Sequence, residues 1–404
     1  MTEIANTPEL RFPNYENSWF SYKLNDISER VTRKNKNLES QRPLTISGQL
    51  GLIDQIEYFN KSVSSKNLTG YILIKKGEFA YNKSYSNGYP LGAIKKLERY
   101  DLGILSSLYI CFSFDENIDK SFMKNYFEST KWYREVANIA VEGARNHGLL
   151  NIPVNDFFNI NINLPIQYEQ EKIGEFFSKL DRQIELEEQK LEKLEEQKKG
   201  YMQQIFSQQL RFKDENGNEY PEWEEKKLGD ILERGNKDKV NEIGKYRRLT
   251  ISLHGKGLYE VKQERKTKDT RPFYQRFEGE LIIGKQNFFN GSIAIVTREF
   301  NGFICSNAIM SYKISNHMNR KYLLEYLLQN DFLRKNEYLA DGTGQKELSE
   351  KKFEELEIKL PNSINEQQKI GVFLERLDNL IEKQSNKLEL LKQRKKSFLQ
   401  KMFV

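Results

Sequence analysis

Two stretches of this chain carry apolar side chains at alternating steps of four and three. The first reads Ile173, Phe177, Leu180, Ile184, Glu187, Leu191, Leu194, Lys198, Tyr201, Ile205, and the second Ile370, Leu374, Leu377, Ile381, Gln384, Leu388, Leu391, Lys395, Phe398, Met402. Every position of the second lies 197 residues after its counterpart, both polar interruptions included. Two apolar positions in seven make a seam narrower than the stripe of a helix lying on a globular core, so the pattern predicts two long helices that each need a helical partner. From Ile173 to Ile205 the rise is about 48 Å. The first helix region, 167 to 210, holds seven basic and ten acidic residues, and the second, 364 to 404, nine and five. Opposite net charges favour pairing of one with the other over self-pairing. The apolar members of the two seams are the expected coiled-coil interface, and antiparallel packing gives an approximate two-fold axis within one chain.

The repeat is wider than the helices. LPIQYEQEKIGEFFSKLDRQIE (164 to 185) matches LPNSINEQQKIGVFLERLDNLIE (360 to 382), with EQ-x-KIG-x-F-x-x-x-LD-x-x-IE common to both. Upstream, Phe157, Ile160, Ile162, Leu164 and Pro165 answer Phe353, Leu356, Ile358, Leu360 and Pro361, an alternating strand closed by proline. Helical spacing in IDKSFMKNYFESTKWYRE recurs in MNRKYLLEYLLQNDFLRKNE, LTIS occurs at 44 and at 249, and Trp19, Leu24, Asp26, Ile27 and Arg30 answer Trp223, Leu228, Asp230, Ile231 and Arg234. The segments 48 to 75 and 253 to 276, and those after Lys83 and Lys285, share almost nothing. Ordinary drift of surface loops explains such divergence; so do two modules on one scaffold that recognise different things. The expected class is α+β: two duplicated globular α/β modules separated by two long helices in an antiparallel coiled coil, pseudo-two-fold within one chain. The expected divisions are 1–163, 164–210, 211–360 and 361–404.

Composition narrows the chemistry. The chain has 404 residues, 38% of them apolar, which is enough for more than one core. Cys111 and Cys305 stand alone, excluding a disulfide framework or a cysteine-rich zinc site, and the three histidines (His147, His254, His317) offer little for metal or triad chemistry. With no apolar leader and no run long enough to cross a bilayer, a cytoplasmic protein without membrane association is expected. Gly342-Thr343-Gly344-Gln345-Lys346 resembles a phosphate loop in composition but has the wrong spacing, and there is no Pro-Pro pair of the kind adenine methyltransferases carry. No catalytic residue and no metal site emerge.

Basic residues cluster with aromatics and amides at matched places in both halves: Arg30 through Lys36 against Lys237 through Arg248, and Tyr81 through Asn87 against Gly284 through Asn287. Arg and Lys suit phosphates and guanine edges, while Asn and Gln can pair with adenine. Two divergent modules, each followed by Leu-Pro, EQ-x-KIG and a heptad helix, resemble the specificity subunit of a type I restriction-modification system. That resemblance implies a non-catalytic subunit whose modules each recognise half of a split, asymmetric double-stranded DNA target while the coil sets the spacing. It also implies two methyltransferase (modification) subunits that act on adenine, and restriction/translocase subunits. S-adenosylmethionine, ATP and Mg would serve those partners, with no cofactor in this chain. Candidate DNA contacts are Lys34, Lys36, Lys83, Tyr85 and Arg145 in the first module and Lys239, Arg247, Arg248, Lys285 and Asn287 in the second. A non-DNA adaptor, joining proteins along a coiled-coil spine, is the competing reading of the same pattern.

Overall fold

A computed structural model describes residues 6–61, 63–85, 88–140, 150–261, 271–339 and 347–404. They form two units, Met1–Gln189 with Ser385–Val404, and Lys190–Gln384.

In the first unit, apolar runs punctuated by Gly and polar turns make short strands. The elements are β1 (Phe20–Lys23), α1 (Leu24–Ile27), β2 (Ser28–Arg30), β3 (Leu44–Ser47), β4 (Gly51–Asp54), α2 (Gln55–Phe59), β5 (Ile72–Lys75), β6 (Phe79–Asn82), β7 (Ala93–Lys96), β8 (Leu102–Leu105), β9 (Ile110–Phe114), α3 (Lys120–Glu128), α4 (Tyr133–Ile139), α5 (Val154–Phe158) and β10 (Asn161–Leu164), leading into α6 (Gln167–Phe206). Four antiparallel strands in the order β2-β9-β6-β7 form the main sheet. Alternation along a strand sends Phe79 and Tyr81 to one face and Ala80 to the other, and likewise Phe112 and Phe114 against Cys111. The first face joins Phe122, Trp132 and Phe157 in an aromatic core, which Ile173 and Phe177 of α6 and Leu399, Met402 and Phe403 close. The second face covers a smaller core with Leu44, Leu52, Ile72 and Leu105, contributed by the β3–β4 and β5–β8 pairs. Burial on both faces is why these strands read as nearly continuous apolar runs.

The second unit repeats this plan. Its strands are β11 (Glu224–Lys227), β12 (Leu232–Arg234), β13 (Leu249–Ile251), β14 (Leu258–Glu260), β15 (Phe273–Gln275), β16 (Leu281–Gly284), β17 (Ile293–Ile295), β18 (Ile304–Ser306), β19 (Ile309–Ile314) and β20 (Glu357–Leu360). Its helices are α7 (Leu228–Ile231), α8 (Arg320–Leu327), α9 (Asn330–Asn336), α10 (Glu350–Glu354) and α11 (Ile364–Lys401). The order β12-β19-β16-β17 matches the first sheet strand for strand, and β1–β10 is matched by β11–β20. One core takes Leu281, Ile283, Tyr322 and Phe353; the other, across the sheet, takes Leu249, Ile251, Ile282 and Phe303. The segments 48 to 75 and 253 to 276 supply β4, α2 and β5 in one unit and β14 and β15 in the other, in the layer on the sheet face turned away from the long helices, while the divergent stretch after Lys285 brings Phe288 into the core on the opposite face. Cys111 and Cys305 are buried in those smaller cores; burial pushes the Cys111 thiol up to about 12, leaving no reactive thiolate.

The repeated Leu-Pro and EQ-x-KIG block is a joint between module and helix. Glu169 has no solvent exposure and accepts two hydrogen bonds from Arg11, both at 2.7 Å. Glu366, equally buried, accepts from Arg211 at 3.2–3.4 Å. Gln170 donates to the Pro165 carbonyl and accepts from the Asp119 N–H, and Gln367 does the same with Pro361 and Asn319. Asp119 and Asn319 are the N-caps of α3 and α8, accepting from the Phe122 and Tyr322 N–H groups. A Cβ on Gly174 or Gly371 would overlap those cap oxygens, which is why the block ends in glycine. Pro165 and Pro361 follow the last strand residue in each unit.

Within each unit the two long helices run antiparallel. In the first, Phe176 meets Phe398 edge-on and Lys395 reaches Asp181 at 2.5 Å, Lys392 Glu188 at 2.6 Å, and Lys387 Glu187. In the second, Lys198 reaches Asp378 at 2.6 Å and Tyr201 packs on Phe373. The seam positions along α6 and α11 are buried or half-buried while most of their neighbours are exposed; Tyr201 alone among them is exposed, at 39%. In the first unit lysines of the net positive α11 thus sit on acids of the net negative α6, while in the second the pair runs from Lys198 of α6 to Asp378 of α11.

Candidate nucleic-acid interface

The candidate contacts hang on the hairpin layer and on the ends of the central strand. In the first module, Lys34 and Lys36 lie in the exposed segment between β2 and β3; Lys34 bridges to Ile72 of β5 and donates to the Gly70 carbonyl at 2.9 Å. Their neighbour Asn35 is buried and holds the Ser40 backbone through both amide atoms, so it shapes this loop. Arg33 is taken by Glu78. Lys83 and Tyr85 follow β6; the Lys83 carbonyl accepts from Leu150, and Tyr85 is 62% exposed. Arg145 lies outside the described residues.

In the second module the structure groups several candidates around two clefts. One, of about 510 Å³, is lined by Lys285 together with Arg234, Lys237, Arg276, Asn307 and Ser311. The other, of about 270 Å³, is lined by Arg248 and Asn287 with Arg271, Gln286, Thr250 and Ser306. Ile309 of β19 lines both, so they share a wall. Arg248 stacks over Phe273 at 4.6 Å from the ring centre. Arg247 is held differently: it stacks over Phe303 and forms a two-pronged pair with Glu260, leaving its side chain 64% exposed. Lys239 is exposed and bridges to Tyr274 of β15. Acids balance part of the larger cleft. Arg234 clasps Glu354 at 2.6 and 2.8 Å, and that hydrogen-bonded guanidinium holds the carboxyl below its usual range, while Lys237 takes Glu350.

Sequence reasoning missed Arg276, which is buried at 3% exposure and held by the Asn236 and Ile309 carbonyls and the Cys305 sulfur. Its partners come from two distant segments, around Asn236 and over Cys305 to Ile309, and no local signal joins them. The helix joint was missed for a different reason. Leu-Arg-Phe occurs at 10–12 and again at 210–212, so extending the repeat upstream of Trp19 finds both arginines. Among the described residues no group of His, Cys, Asp and Glu is arranged to hold a metal ion, and no helix is long and apolar enough to cross a membrane.

This duplicated architecture, a conserved frame with diverged hairpins and a long helix after each copy, is that of a DNA-recognition subunit. The family model for the type I restriction modification DNA specificity domain matches residues 3–196 and again 220–393, and the chain belongs to that family. The chain is similar to the type I restriction enzyme MjaVIII specificity subunit of Methanocaldococcus jannaschii, 23% identical over 317 residues that cover 73% of this chain and 69% of that one. Its fold is like that of the type I restriction-modification S subunit of M. genitalium, at 16% identity and a TM-score of 0.58, over 98% of this chain and 99% of the other. A chain from a study of complex assembly and conformational transition in the type I system gives 0.53 at 16% identity, covering 95% and 97%. The chain is therefore a specificity subunit, recognising DNA and not itself catalytic.

Proposed function

We propose that each module reads one half of a bipartite, asymmetric double-stranded DNA target and that the paired helices set the spacer between the half-sites. The chain then presents the site to two methyltransferase subunits and to restriction/translocase subunits. Adenine is the methyl acceptor and has to leave the base stack to reach a partner's pocket. S-adenosylmethionine, ATP and Mg act in those partners, and the assembly works in the cytoplasm.

The observation that carries this reading is where the two copies differ. Strand order and helix joint are kept, while the segments 48 to 75 and 253 to 276 have diverged, and their strands meet Lys34 at Ile72, Lys239 at Tyr274, Arg247 at Glu260 and Arg248 at Phe273. A scaffold for one repeated partner has no use for that division; two readers of unlike half-sites require it. Within a reader, lysine and arginine supply salt-dependent affinity through phosphates, and Arg248, Gln286 and Asn287 around one cleft offer the forked donors and amides that discriminate base edges. A seam of about 48 Å spans about 14 base pairs, the right order for half-sites one to two helical turns apart.

The test is to express the chain with its methyltransferase partners and map methylated adenines. The expected pattern is two unlike half-sites at one fixed spacing, lost when this chain is omitted. Methylation at an uninterrupted or palindromic site, or methylation indifferent to the chain, would overturn the proposal.

A further inference from the structure

An apolar seam that repeats every seven residues is nearly indifferent to sliding one helix past the other by a heptad. Four polar residues interrupt the seam, Glu187 and Lys198 on α6 and Gln384 and Lys395 on α11, and the two lysines remove that indifference. Lys198 of α6 donates to Asp378 at 2.6 Å in one unit, and Lys395 of α11 donates to Asp181 at 2.5 Å in the other. Asp181 and Lys198 stand 17 residues apart on α6, and Asp378 and Lys395 stand 17 apart on α11, so one antiparallel register satisfies both pairs. A slide of seven residues would set Asp181 against Leu388 or Met402, and Lys198 against Gly371 or Ser385.

Each aspartate also grips its own module. Asp181 accepts from Lys124 of α3 at 3.2 Å, and Asp378 accepts from Lys321 of α8. A second carboxylate completes each cluster: Glu98 takes Lys124 at 2.8 Å, and the buried Glu325 takes Lys321 at 2.6 Å and Lys198 at 3.0 Å. Lys124 is the fifth residue of α3 and Lys321 the second of α8, so the same tie is made from non-equivalent positions. A lysine in a seam position costs stability relative to leucine, and its best-attested return is a unique register.

We infer that Lys198–Asp378 and Lys395–Asp181 are specificity-determining clasps: they lock the helix register, tie it to α8 and α3, and thereby fix the spacer length of the DNA target. This rests on the bipartite reading proposed above. The apolar helix ends, Phe206 in one core and Phe403 in the other, reinforce the same register.

The test uses the reconstituted complex with its methyltransferase partners and a library of targets whose spacer varies by up to three base pairs either way. Replacing Lys198→Leu together with Lys395→Leu makes these two seam positions apolar and leaves Glu187 and Gln384 as they are, so the complex should assemble with unchanged half-site preference while discrimination against off-length spacers falls at least tenfold. Lys198→Arg with Lys395→Arg should keep it. Should the leucine variant not fold, the isosteric pair Asp181→Asn and Asp378→Asn must show the same loss. Wild-type discrimination in a folded leucine or asparagine variant overturns the inference. A wild-type complex that ignores spacer length overturns the bipartite reading itself.

Discussion

A carboxylate with no contact to water is tolerable only when a cation meets it, and Glu169 and Glu366 meet this condition through Arg11 and Arg211. Removing the arginine leaves a buried, uncompensated charge, so Arg211→Ala should cost about 3–5 kcal/mol in denaturant unfolding. Conservative Arg211→Lys should recover only part of it, because a point charge cannot reproduce the fork. Gly371→Ala places a methyl on the Asn319 cap oxygen and should cost about 1–3 kcal/mol by overpacking. At the interface, Arg247→Ala with Arg248→Ala should weaken binding of the reconstituted complex to target DNA and lower the slope of log affinity against log salt by about 1 to 2. An unchanged slope would remove that pair from the phosphate contacts. These residues were legible to different degrees. Lys and Arg clusters show in the sequence, but which of them is already engaged, as Arg33 is by Glu78, depends on partners 45 residues away.

The helices were the most legible elements, because a strict two-in-seven spacing admits few structures. The partners of the polar interruptions were not, since Lys198 and Asp378 are 180 residues apart and nothing local links them. Their chemistry gives a pH dependence. Burial alone would raise the Asp378 carboxyl, but hydrogen bonds and charge from Lys198 and Lys321 outweigh it and hold the group below its ordinary 3.8. A lowered folded-state pKa stabilises the fold above the unfolded value and is lost as pH falls through the folded one. Asp378→Asn should therefore destabilise equally at pH 7 and pH 5, with the difference from wild type shrinking below about pH 3.8. A difference that grew towards acid would contradict this arrangement. The short strands were legible where proline or a repeated tetrapeptide marked them, as at Leu164-Pro165 and Leu44–Ser47. Strand order was not, because pairing in the main sheet joins β2 to β9 across some eighty residues.

For the whole molecule the duplication explains most of the architecture. Even the chain ends take part in it. The Leu10 N–H donates to the Lys401 carbonyl in the first unit as the Leu210 N–H does to Gln204 in the second, so the two termini together build what a continuous loop builds elsewhere. Much of what the copies do not share lies in the strands over the outer sheet face, and the central claim is that this difference is the difference between two half-sites. Exchanging residues 12–163 for the corresponding module of another specificity subunit, and mapping methylated adenines before and after, tests it most directly. One half-site should change while the other half-site and the spacer length persist; a change in both half-sites, or in neither, would contradict the account.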